Sequence, residues 1–81
     1  MPYITKFQRP DLDSCSRLPV TPGELNYVIT RYLTGYCTTQ GLSYQTINDV
    51  LGALEGAKQE FYRRVAVPYE DAKKAENGDV F

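Results

Sequence analysis

Two runs of apolar residues at helical spacing, separated only by Gly41-Leu42-Ser43, constrain this chain more than any other feature. The first run opens at Thr21-Pro22-Gly23-Glu24. Thr21 suits a helix N-cap, Pro22 the first helical position, and Glu24 completes a capping box. Leu25, Val28, Ile29, Tyr32, Leu33 and Tyr36 then form one apolar stripe, and Gly41 ends it. The pattern predicts a helix over 22–40, about 28 Å long. Ser43 caps a second stripe of Ile47, Val50, Leu51, Leu54, Phe61 and Val65, predicting a helix over 44–66. A link this short folds the two helices back antiparallel. Pro68 lacks a backbone donor and disfavours helical geometry at Val67. The second helix is therefore expected to kink or restart there, with 68–76 as a C-terminal helical segment before an Asn77-Gly78 turn.

Residues 1–20 form a less regular N-terminal segment, in which "RPDLDSCSRL" reads as a short helix from Pro10 and "PYITKF" as extended. The expected fold is all-α: one small domain over 1–81, an antiparallel helical hairpin with a kinked second helix and short flanking segments. A chain of 81 residues buries only roughly 60–65% of its unfolded surface, so homo-oligomerisation is expected to cover what remains. Tyr32 and Tyr36, on the apolar side of the first helix, read as core packing. Gly52 and Gly56 fall almost opposite the second stripe, in line with Gln59 and Arg63. Each glycine costs a helix about 1 kcal/mol relative to alanine. Either that cost is simply tolerated, or Gly52, Gly56 and Gln59 admit a close helix at an oligomer interface. Lys58 interrupts the stripe, either with its stem covering apolar surface and its ammonium in water or as a cation awaiting a carboxylate or phosphate.

The composition removes most chemistry. The chain has no histidine and two cysteines, Cys15 and Cys37, without metal-ligand spacing. No catalytic residues, metal or cofactor are expected. Asp11/Asp13 and Glu70/Asp71 are spaced to point apart on a helix and read as solvated charge. Nine basic residues against ten acidic ones make duplex nucleic acid a poor partner. No apolar run approaches a membrane span, and the expected state is cytoplasmic, with two reduced thiols favoured over a Cys15–Cys37 disulfide.

"EFYRRVAVPYED" remains, over residues 60–71. Glu60 lies three and four residues before Arg63 and Arg64, so an intrahelical ion pair worth a few tenths of a kcal/mol accounts for part of it. Two arginines gathered with Tyr62 and Tyr69 around Pro68 also suit a planar, phosphorylated ligand, because guanidinium groups clasp phosphate and tyrosine rings stack on bases. Lys58 and, on the first helix, Tyr27 and Arg31 extend this candidate ligand-binding set.

The segments "GELNYVITRY", "LSYQTINDVLGALEGAKQEFYRRV" and "PYEDAKKAENGDVF" resemble a family of short uncharacterised proteins of tailed phages, prophages and bacteria. The resemblance spans about residues 22–81, while "DSCSRLP" is shortened relative to the helix such proteins have there. It implies a phage or mobile-element accessory protein in the cytoplasm of a bacterial host. By analogy with small accessory phage proteins, it would act in counter-defence by sequestering a nucleotide-derived immune signal. The alternatives are a protein-binding inhibitor of a host factor and a structural or assembly accessory of the phage.

Overall fold

The computed structural model describes residues 4–81; the first residues of "PYITKF" lie outside them. Every regular element among the described residues is helical: α1 (Arg9–Asp13), α2 (Pro22–Gln40), α3 (Tyr44–Phe61), a π turn (Tyr62–Ala66) and α4 (Val67–Asn77). None of these helices is long and apolar enough to cross a membrane. The chain divides into two compact units, Met1–Ile47 and Asn48–Phe81.

In the first unit, α2 starts and stops where its caps dictate. Thr21 is extended, with φ −132° and ψ 159°, and its Oγ1 accepts the Glu24 N–H at 3.1 Å. Gly41 ends the helix at φ 87°, a conformation that disfavours a Cβ. The other half of the capping box differs from expectation. The Glu24 carboxylate accepts from Val20 N–H at 2.9 Å and reaches residues further upstream. Past Gly41, Ser43 Oγ accepts the Thr46 N–H at 3.1 Å, and Thr46 Oγ1 donates to the Gly41 carbonyl at 2.7 Å. These local bonds start α3.

The N-terminal segment is turned rather than extended at Thr5–Gln8. Gln8 Oε1 accepts the Thr5 N–H at 2.7 Å, and Gln8 N–H donates to Thr5 O. Helix α1 follows and packs on α2 through Leu12, the one hydrophobic side chain buried among the described residues. It closes with paired bonds from Ser16 N–H to Asp11 O and from Cys15 N–H to Leu12 O, a Schellman ending with Cys15 left-handed at φ 59°. An L-residue in that conformation costs roughly 1–2 kcal/mol. Cys15→Gly is thus expected to raise stability by about 1 kcal/mol, or about 4–8 °C in Tm. Calorimetry of the two proteins checks this, and an unchanged or lower Tm would contradict it.

In the second unit, the helix does not break before Pro68. Val67 is right-handed helical, at φ −63° and ψ −50°, and its N–H bonds to Tyr62 O, five residues back. This corrects the expectation that Val67 leaves helical geometry. The π turn resets the hydrogen-bond count, so Pro68 falls in the first turn of α4, where a missing N–H costs little. Gly78, at φ 87°, ends α4 by donating to Lys74 O.

The apolar stripes that define α2 and α3 remain largely exposed. Tyr32 is 69% accessible, Leu51 59% and Phe61 64%. Tyr32 and Tyr36 are therefore not core residues, contrary to their expected packing role. The helices hold by their caps and internal bonds. Gly52 and Gly56 likewise face open space.

Candidate functional site

The most buried charged side chain is Glu24, only 2% accessible. Arg17 clasps it through two bonds, Nη1 to Oε1 at 2.8 Å and Nη2 to Oε2 at 2.7 Å. Gln8 Nε2 adds a third donor at 2.7 Å. The Arg17 hydrogen bonds, then that from Val20 N–H, hold the Glu24 carboxyl down at about 2, from its usual 4.5, against the opposing effect of burial. One side chain thus joins the turn before α1, the segment after it and the start of α2. Its role is structural, and it fixes α1 against α2.

That docking forms an open cleft of about 540 Å³ along α2, lined among others by Leu12, Asp13, Tyr27, Arg31, Tyr32 and Tyr36. Asp13, in the last turn of α1, accepts the Tyr27 hydroxyl at 2.8 Å and lies 3.4 Å from Arg31 Nε. Tyr27 and Arg31, one helical turn apart, lie together on this cleft with Tyr32 and Tyr36 of the apolar stripe. Asp13 joins them while staying exposed, so its solvated charge also has partners. Its hydrogen bond raises the Tyr27 pKa above the ordinary phenol value, keeping the hydroxyl protonated as a donor. The Arg9 guanidinium stands over the Tyr27 ring, 5.8 Å from its centre. Arg9 Nη2 donates to Ile4 O, while Arg9 Nε is buried without a partner. The cleft thus offers three tyrosines and an arginine, with volume in the range of small-ligand sites. Cys15 lies at its edge, and Cys15 and Cys37 are both free thiols.

The second candidate group lies along the other unit. Arg63 Nη2 and Arg64 Nε both bond Glu60, Arg64 at 2.7 Å. One carboxylate therefore engages both guanidinium groups, where the intrahelical account had accommodated one. Both arginines stay well exposed, so these pairs contribute little to stability. Lys73 stands over the Tyr69 ring at 5.7 Å, and Tyr62 is about half exposed. Lys58 is exposed and 3.8 Å from Glu55. Gln59 Nε2 donates to Glu55 Oε1 at 3.0 Å.

These features define a small all-helical protein with an aromatic cleft beside one long helix. The chain belongs to a family described as Domain of unknown function (DUF6899), whose model matches residues 1–80. No curated protein and no solved structure matches it.

Proposed function

We propose that this is a non-enzymatic binding protein whose small-ligand site is the cleft beside α2. The observation that carries this reading is the convergence of Tyr27, Tyr32, Tyr36 and Arg31 on one open volume. Tyrosine rings present flat faces to a base or other planar group, and guanidinium suits a phosphate. The ligand class is accordingly a phosphorylated or nucleotide-derived small molecule. Lack of histidine removes the commonest general base, which favours holding a ligand over converting it. In a phage or mobile-element setting, as the sequence resemblance suggests, binding of this kind would serve counter-defence by sequestering a nucleotide immune signal in the bacterial cytoplasm.

Thermal-shift screening of the protein against linear and cyclic adenine nucleotides, followed by calorimetry, tests the site. Arg31→Ala should weaken binding about ten- to hundred-fold, the cost of losing a charge-assisted contact. Arg63→Ala and Arg64→Ala should bind like the parent. The reverse pattern would move the site to the Glu60–Asp71 stretch, and absence of binding by any nucleotide would remove this reading.

The exposed apolar stripes support a second element, homo-oligomerisation. A fold-back of α2 on α3, which the short Gly41–Ser43 link permits, is the alternative way to cover them. Capture of a host protein is the runner-up function, favoured by the same exposed faces.

A further inference from the structure

The seam of α3 has a finer pattern than a simple stripe. Ile47, Leu51, Leu54, Lys58 and Phe61 follow one another at alternating steps of four and three along α3. That is a short coiled-coil heptad pattern, with Ile47, Leu54 and Phe61 at d and Leu51 and Lys58 at a. All four apolar members are exposed, from Ile47 at 38% to Phe61 at 64%.

We propose that α3 pairs with α3 of a second copy as an antiparallel coiled coil, with Lys58 setting the direction. This deepens the oligomer reading and does not depend on the ligand cleft. In a parallel pair, Lys58 would face its own copy at an a position, bringing two ammonium groups together with no carboxylate between them. In the antiparallel pair a layers meet d layers. Leu51 then packs on Phe61, and Lys58 on Leu54 of the other copy. Glu55 flanks Leu54 on the helix, so each Lys58 finds the other copy's Glu55 beside it. The two side chains already approach to 3.8 Å within one helix, and the dimer gains two symmetric pairs between copies. Gly52 and Gly56, which meet open space, turn away from this seam.

Light scattering after size exclusion of the full chain at micromolar concentration tests the proposal, with far-UV circular dichroism confirming helicity in every variant. The parent should have twice the 9.2 kDa chain mass. Lys58→Glu and Glu55→Lys should each weaken association about ten-fold or more, because each puts like charges side by side twice. Mixing these two weakened variants should restore a dimer, since one chain then carries two carboxylates and the other two ammonium groups. Gly56→Ala should leave the dimer intact. A monomeric parent would overturn the proposal, whether α2 or another protein covers the seam. A Glu55→Lys variant that dimerises like the parent would overturn the antiparallel direction, because in the parallel pair residue 55 meets Val50. Failure of the mixture to associate, or loss of the dimer in Gly56→Ala, would place the contact elsewhere.

Discussion

Glu24→Ala should lower the Tm by about 10 °C or more, because removing one member of a buried, multiply bonded charge pair strands the others. Arg17 would lose its bidentate partner, and Val20 N–H and Gln8 Nε2 would lose their acceptor. The same carboxylate carries an acid signature. Its folded pKa, about 2, lies below the usual 4.5, so the folded state binds the proton less readily than the unfolded one. Its contribution is complete above about pH 4.5 and disappears as the pH falls from there toward 2. Glu24→Gln keeps the shape but cannot titrate, and its stability should fall less steeply across that window. Urea titrations at pH 7, 4.5, 3.5 and 2.5 compare the slopes, and parallel acid limbs in the two proteins would exclude this role for Glu24.

Leu12→Ala has the second large expected effect. Leu12 is the buried apolar contact of a five-residue helix that cannot persist alone. Truncation should cost about 2–3 kcal/mol. It should also release Asp13 from Tyr27 and Arg31, since α1 is what carries Asp13 to them. Stability and ligand affinity should therefore fall together in Leu12→Ala, whereas Arg31→Ala should lower affinity with stability nearly intact. Urea unfolding and calorimetry on both variants separate the two effects. A Leu12→Ala protein with parental stability would mean that α1 is held by Glu24 alone.

Where a feature depends on neighbours in sequence, it was legible before the structure. Thr21, Gly41 and Ser43 act within one turn of the ends they define, and they mark both ends of α2 and the start of α3. Asn77-Gly78 behaves the same way at the end of α4. The partnership of Glu24 with Arg17 spans a loop through Pro19, and no periodicity reports it. The partners of Asp13 were not legible because α1 is too short to show which of its faces meets α2. Tyr32 and Tyr36 read as core on the premise that an apolar stripe is a covered one, yet both side chains are exposed. The kink or restart expected at Pro68 takes the form of α4 beginning at Val67, but Val67 stays helical because the rule for residues before proline assumes uninterrupted α-helical counting. Nothing in "FYRRVAV" announces the wider turn that evades it.

That wider turn has a consequence for how the long helix can be used. An i→i+5 turn winds the chain less per residue than an i→i+4 turn, so side chains beyond Ala66 come out of phase with those before Tyr62. A pattern written on α3 therefore cannot be continued by α4, whatever residues follow. The π turn acts as a punctuation mark between two messages on one rod. Tyr69, Lys73 and their neighbours address a different direction from Leu51, Leu54 and Phe61, and changes on α4 remain free of the constraint that shapes α3.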